Sequence, residues 1–177
     1  MQRRYFKAGC ILLPTLAACS ALAPDQGEKM KRDQSAETAP GTNKDFSFSM
    51  ATRAPDQIWR LWTSPSTWGA WDKGLQSASM EGEMGLGSVG MIQPMSGPAS
   101  QLEVVSFEPN TAYTFVTRLP MARLTVARSL NAERTEFTHH VTFTGPMGFA
   151  FARMFGPGFR KALPPTMRTL NTLAEAG

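Results

Sequence analysis

A stretch of about seventy residues without a helical period most constrains the fold of this chain. Between Gly74 and Thr144, short segments of alternating apolar and polar residues are separated by turn residues. The predicted turns lie at Gly74, Gly82–Gly87, Gly97-Pro98, Pro109-Asn110, Leu119-Pro120 and Asn131-Ala132. Strands are therefore predicted near residues 75–80, 88–94, 100–107, 111–119, 122–130 and 134–144. Their regular spacing is typical of antiparallel hairpins.

One more strand and two short helices are predicted before this stretch. Residues 46–50 alternate large apolar side chains with serines, as a half-buried strand does. Pro55 suits the first turn of a helix, because its missing N–H is not needed there. Ser64-Pro65 ends that helix and can cap a second one, which carries Trp68 and Trp71 three residues apart.

Helical period returns in the last segment, Pro146 to Ala176. Its apolar residues gather on one side, and its cations, which are Arg153, Arg160, Lys161 and Arg168, gather on the other. Pro164-Pro165 removes two backbone donors, so a break or kink is predicted there. The favoured interpretation is a core-facing helix with a solvated cationic back; the alternative is that the cations face anionic lipid.

The N-terminal residues resemble an export signal. Arg3, Arg4 and Lys7 precede an apolar stretch, Ala8 to Ala18, of the usual length for a signal peptide. The whole uncharged stretch, Ala8 to Ala23, contains Pro14 and is too short to cross a bilayer as a stable helix. These three cations account for most of the formal charge of +4, and without them the net charge is +1. A nearly neutral chain lacks the field that holds phosphates, so nucleic-acid binding is excluded.

The cleavage site is predicted at Cys19. Leu16-Ala17-Ala18-Cys19 resembles the lipobox of bacterial lipoproteins, whereas the rival site Ala21-Leu22-Ala23 is followed by Pro24, which hinders cleavage. We expect residues 1–18 to be a signal peptide, and residues 19–43 to be the acylated Cys19 with a flexible tether. An ordinary secreted protein is the alternative. In a Gram-negative host, Ser20 would direct the lipoprotein to the periplasmic face of the outer membrane.

Three segments suggest a family. Ala54 to Trp59, Trp68 to Asp72, and Thr138 to Pro146 resemble the polyketide cyclase/dehydrase group of the START-like (SRPBCC) superfamily. The resemblance covers roughly residues 44–176 and implies an α+β helix-grip domain over residues 44–177. That fold has a curved seven-stranded antiparallel sheet around a long C-terminal helix, with two short helices after the first strand. It also implies a cavity between the sheet and the helix.

Strand alternation predicts which side chains would face that cavity. On the last strand His139 shares the inner face with its apolar neighbours, and His140 points the other way. The predicted lining residues are Trp62, Met91, Tyr113, Phe115, Val126, Arg128, Phe137, His139, Val141, Phe151, Met154 and Phe155.

Most cofactor chemistry is excluded by the same patterns. Gly85 to Gly90 matches G-x-G-x-x-G, but Pro94, Gly97 and Pro98 follow, so no helix can receive a dinucleotide there. The adjacent pair His139 and His140 cannot bind one metal from opposite faces of a strand. We therefore expect no cofactor and no metal site.

Three functions remain open. The favoured one is a membrane-anchored binder or carrier of a hydrophobic small molecule, such as a lipid or an aromatic compound. The alternative is a cyclase- or dehydratase-like enzyme in which His139 acts as the general acid/base and Tyr113 as a hydroxyl donor, with the Arg128 cation nearby. The third is an envelope interaction module that contacts its partner through exposed Trp68 or Trp71.

Overall fold

The computed structural model describes residues 44–177; the predicted signal peptide, Cys19 and the tether lie outside the described residues. In chain order the elements are β1 (Asp45–Ala51), α1 (Pro55–Trp62), a 3-10 turn (Pro65–Thr67), α2 (Trp68–Trp71), β2 (Leu75–Met80), β3 (Val89–Pro94), β4 (Ser100–Glu108), β5 (Ala112–Leu119), β6 (Ala122–Leu130), β7 (Glu136–Thr144) and α3 (Gly148–Ala176). The six strands predicted after Gly74 are confirmed to within two residues at each end.

The seven strands form one curled antiparallel sheet in the order β1-β7-β6-β5-β4-β3-β2. Each strand from β2 to β6 pairs with the next strand along the chain, and β1 pairs with β7. The predicted helix-grip architecture is confirmed. The segment Gly85–Gly90 lies in the β2–β3 turn and enters β3, with Gly87 at φ 79°, where a side chain would be strained.

The long helix α3 differs from its prediction. It begins at Gly148 and continues through Pro157, Pro164 and Pro165, so of the predicted break or kink at Pro164-Pro165 the break is wrong. Each proline removes one backbone hydrogen bond. Packing compensates for these losses, because buried residues on both sides of the prolines hold the helix against the sheet: Ala152, Gly156, Leu163, Met167 and Leu170.

The described part carries its own hydrophobic core. Twenty-two buried residues, from Phe46 to Ala174, form one cluster enclosed by the sheet and the three helices. A complete sheet with a core of this size is sufficient for independent folding, so a fragment of residues 44–177 is a suitable object for experiments. Within this part, no helix is both long enough and apolar enough to span a membrane.

Helix α3 approaches β1 closely at Gly156. A Cβ atom at this position would overlap the ring of Phe46, which is itself buried. Only glycine allows the helix backbone to lie this near the first strand. This contact sets the spacing between α3 and the edge of the sheet.

Candidate functional site

The site begins at the C-terminus of α1, where the last carbonyls of the helix lack partners within the helix. Trp62 is the final residue of α1, and its carbonyl accepts hydrogen bonds from Tyr113 Oη and from Trp68 Nε1, both at 2.9 Å. The Tyr113 proton is therefore donated to the protein's own backbone. These two bonds fix α1 and Trp68 against strand β5.

Strand register places three polar side chains in one row. Tyr113 of β5 pairs directly with Arg128 of β6, and Arg128 pairs directly with His139 of β7. Residues that are directly opposite in an antiparallel pair project from the same face of the sheet. All three are buried, with Arg128 only 4% and His139 only 2% exposed. The structure thus brings together the three groups that the sequence singled out.

The Arg128 guanidinium lies among aromatic rings. Its Cζ atom is 4.4 Å from the centroid of Trp68 and 4.8 Å from that of Trp71, with Phe115 and Tyr113 also within 6 Å. Its Nη1 donates a hydrogen bond to Tyr113 Oη at 2.5 Å. No carboxylate of residues 44–177 forms an ion pair with it. The rings stabilise the cation, but its charge is not neutralised by an ion pair.

Burial and this cation together control the protonation of the row. Burial lowers the pKa of His139 well below its usual range, and the Arg128 charge lowers it further. Burial raises the pKa of Tyr113 to about 12, against the opposing effect of Arg128. At neutral pH the row therefore contains a neutral imidazole, a neutral phenol and one fixed positive charge.

A half-buried carboxyl lies near the row without pairing to it. Asp72 follows α2, and burial raises its pKa above the usual value. A hydrogen bond from the Gly74 N–H and the positive charge of Arg128 offset part of this rise, because both stabilise the ionised carboxylate. Asp72 lies too far away to form an ion pair with the guanidinium.

Several buried polar atoms around the row have no hydrogen-bond partner. They are Trp62 Nε1, Trp71 Nε1, Arg128 Nε and His139 Nε2. Buried polar atoms are normally paired by protein groups or by a bound molecule, so four of them in one aromatic interior form a candidate polar subsite. No three metal-ligating side chains cluster among the described residues.

The predicted lining residues divide into two groups. Those buried on the inner face of the sheet or at the end of α1 are Trp62, Tyr113, Phe115, Val126, Arg128, Phe137, His139 and Val141. Met91, Met154 and Phe155 are exposed, so their predicted inward orientation is wrong, and Phe151 is half-buried and stacks on Phe155.

The three errors have two causes. In β3 the inner face carries Gly90 rather than Met91, one residue out of the assumed alternation. On α3 the buried stripe is narrower than predicted, and it leaves Phe155 on its flank and Met154 on the outer side of the helix.

A cleft of about 210 Å³ lies between β1 and the first half of α3. Its lining residues are Phe46, Phe149, Ala152, Arg153, Pro157 and Arg160. The Arg160 guanidinium lies over the Phe46 ring, 5.3 Å from its centroid. The cleft therefore combines an aromatic floor with two cations.

The tryptophans of α2 were assigned the wrong environment. Trp68 and Trp71 are completely buried, so they cannot contact a partner from the surface, and the predicted interaction through exposed Trp68 or Trp71 is wrong. Instead they form the ring contacts of Arg128. Their spacing of three residues, which places both on one helical face, was the signal for this role.

Comparisons with known proteins agree with this architecture. The model of the polyketide cyclase / dehydrase and lipid transport family matches residues 46–175. A crystal structure of a protein from Mesorhizobium loti is 18% identical, with a TM-score of 0.57 over 75% of this chain and 98% of that one. A hypothetical protein from Helicobacter pylori is 12% identical, with a TM-score of 0.59 over 77% and 91%.

One further similar structure has a described genetic context. DynU16, from the dynemicin biosynthetic locus, is 16% identical, with a TM-score of 0.54 over 73% of this chain and 48% of that one. At these identities the structural neighbours establish the fold alone. A comparison with curated protein sequences found no match.

Proposed function

Because this chain belongs to the polyketide cyclase / dehydrase and lipid transport family, we propose that it binds a hydrophobic small molecule with an acidic polar end. The family and the fold suggest a hydrophobic ligand-binding pocket. In this proposal the ligand is an amphipathic acid whose anionic group contacts Arg128. The protein would act as a binder or carrier and not as an enzyme.

The observation that carries the proposal is the buried cation of the polar row. Arg128 is 4% exposed, lacks an ion-pair partner in the described part of the chain, and has an unpaired Nε. A carboxylate accepts two hydrogen bonds from a guanidinium in a fixed planar geometry. Unpaired N–H groups of Trp62 and Trp71 lie in the same interior and can donate to the same anion. The surrounding rings suit an apolar ligand body.

Protonation favours binding over catalysis. A general acid/base must take up and release a proton, and the lowered pKa of His139 opposes its protonation beside Arg128. The Tyr113 hydroxyl, the expected oxyanion donor, already donates to the Trp62 carbonyl. The same cation that would attract an acidic ligand therefore weakens the enzymatic alternative.

One observation keeps the cyclase- or dehydratase-like alternative testable. His139 Nε2 is buried without a partner, and a neutral imidazole can accept a proton from a bound substrate. Under this alternative, His139→Gln would abolish turnover of a polyketide-like substrate and leave its binding intact. An unchanged rate in that variant would exclude the role.

The binding experiment uses residues 44–177 and pairs of matched ligands. Native mass spectrometry of the fragment purified from cells tests for a co-purified molecule. Quenching of tryptophan fluorescence by a long-chain fatty acid and by its methyl ester then tests for the acidic end. We expect the acid to bind at least about tenfold more tightly, since a charge-assisted hydrogen bond contributes about 1.5–3 kcal/mol.

The control separates the buried cation from cationic charge in general. Arg128→Met should remove the preference for the acid, whereas Arg118→Met, a change at an exposed arginine on β5, should keep it. If no ligand co-purifies and neither the fatty acid nor its methyl ester quenches the tryptophan fluorescence, the proposal is wrong. Equal affinity for the acid and the ester would support ligand binding but contradict the proposed recognition of an acidic group.

The location of the protein is a separate part of the proposal. We propose that Cys19 is acylated and anchors the domain at the bacterial envelope, on the strength of the lipobox-like sequence Leu16 to Cys19. Mass spectrometry of the full chain from membranes should find a diacylglyceryl mass on Cys19. Cys19→Ser should release the protein from the membrane fraction; retention without modification would contradict the anchor.

A further inference from the structure

The first half of α3 carries an unusual exposed surface. Its apolar members on the helix are Phe149 (55% exposed) and Met154 (64%), and Met121 (69%) and Met147 lie next to the start of the helix. Met121 and Met147 are neighbours, because the Met147 N–H donates to the Met121 carbonyl at 3.1 Å. Phe155 follows Phe149 by six residues, about 240° farther round the helix, and therefore belongs to a different face. Aromatic and methionine side chains are costly to leave in water, so their clustering here needs an explanation.

Cations surround these apolar side chains. Arg153, Arg160 and Lys161 lie within the same half of α3 and are exposed, and the only acidic residue of the helix is Glu175 near its far end. The surface therefore combines apolar anchors with positive charge that no neighbouring acid on the helix offsets. We call it the α3 surface: Met121, Met147, Phe149, Arg153, Met154, Arg160 and Lys161.

We propose that the α3 surface docks on a lipid bilayer that contains anionic lipids. Amphipathic helices bind at the interface in this way, with aromatic side chains among the acyl chains and cations at the head groups. The cleft lined by Phe149, Arg153 and Arg160 opens on the same part of α3, so docking would turn its mouth toward the membrane. This docking requires neither acylation of Cys19 nor a bound ligand.

Charge argues against a second copy as the occupant. A symmetric dimer through this surface would bring Arg153, Arg160 and Lys161 close to the same cations of the other copy. Like charges at such an interface oppose association. An anionic bilayer is complementary both to the cations and to the apolar residues on either side of them.

The test is flotation of the fragment 44–177 with vesicles of two compositions. We expect binding to phosphatidylcholine vesicles containing about 30% phosphatidylglycerol, little binding to pure phosphatidylcholine, and loss of binding in high salt. Phe149→Ser combined with Met154→Ser should weaken the partitioning at least about tenfold, because two apolar anchors are removed. Arg153→Gln combined with Arg160→Gln should abolish the preference for the anionic vesicles.

A matched control alters exposed apolar residues elsewhere. Leu86 and Met95 are at least as exposed and lie in turns of the β2–β4 region, so Leu86→Ser combined with Met95→Ser should bind like the wild type. Thermal unfolding checks that each variant is folded. The proposal fails if the wild type does not float with either vesicle, or if the α3 variants and the control bind equally. If the wild type dimerises in the absence of vesicles and Phe149→Ser abolishes that dimer, the surface binds a second copy of the chain and the proposal is wrong.

Discussion

Replacing Arg128 by methionine separates a ligand-binding role from a structural one. The change removes the hydrogen bond to Tyr113, which contributes about 1.5–3 kcal/mol for a charged donor, and ring contacts with Trp68 and Trp71 of about 1–2 kcal/mol each. It also removes a desolvation cost of several kcal/mol for the buried charge and about 1–3 kcal/mol for the unpaired Nε. Because methionine fills a similar volume, we expect the free energy of unfolding to change by less than about 2 kcal/mol.

The assay is urea denaturation of the fragment 44–177, followed by the fluorescence of its four buried tryptophans. Arg128→Ala is the contrasting variant, since the space it leaves adds a cavity cost of about 2–5 kcal/mol. Fatty-acid binding, measured on the same samples, should be lost in both variants. A loss of more than about 4 kcal/mol in Arg128→Met, with no acid bound by the wild type, would refute the reasoning and make Arg128 a structural cation.

Three further changes test other parts of the molecule. The pKa of His139 is lower in the folded state than its unfolded value of 6.5, so the unfolded state binds a proton more readily. The free energy of unfolding should therefore fall by up to about 1.4 kcal/mol per pH unit as the pH drops below 6.5. His139→Gln should flatten this slope, and the control His140→Gln, on the opposite face of the strand, should keep it. Gly156→Ala should lower the free energy of unfolding by about 1–3 kcal/mol, because the added Cβ overlaps the Phe46 ring. The loss should be smaller when Phe46 is replaced by leucine, and a double-mutant cycle measures this difference. Asn131→Ala should cost about 1–2 kcal/mol in urea denaturation, because the Asn131 side chain accepts two backbone N–H bonds, at 2.8 and 2.9 Å, at the end of the β6–β7 turn; an unchanged midpoint would contradict that reasoning.

The strands were predictable because their alternation and turn residues are local signals. Gly82–Gly87 and Pro109-Asn110 interrupt the apolar alternation wherever the chain reverses, and the observed turns lie there. The course of α3 was not predictable by the same means. A proline pair usually ends a helix, but here packing of residues such as Leu163 and Met167 against the sheet outweighs the lost hydrogen bonds.

Part of the candidate site followed from alternation, and the rest required the tertiary structure. Strand period alone placed Tyr113, Arg128 and His139 on inner faces, but their direct opposition depends on the register of three strands. The positions of Trp68 and Trp71 over Arg128 depend on how α2 folds back on the sheet, which no local pattern encodes. The exposure of Phe155 depends on the rotation of α3 about its axis, which a hydrophobic stripe defines only coarsely.

The polar row links ligand charge to the protonation of His139. Without an anion, Arg128 opposes an imidazolium beside it, and burial acts in the same direction. A carboxylate bound at Arg128 would introduce the opposite charge into the same interior and raise the pKa of His139 toward its ordinary range. Because linkage is reciprocal, a rise in the pKa of His139 on binding means that acidic pH strengthens binding of the anion. A row that only stabilises the fold has no such coupling, so pH dependence of acid affinity that disappears in His139→Gln would identify the row as a binding site.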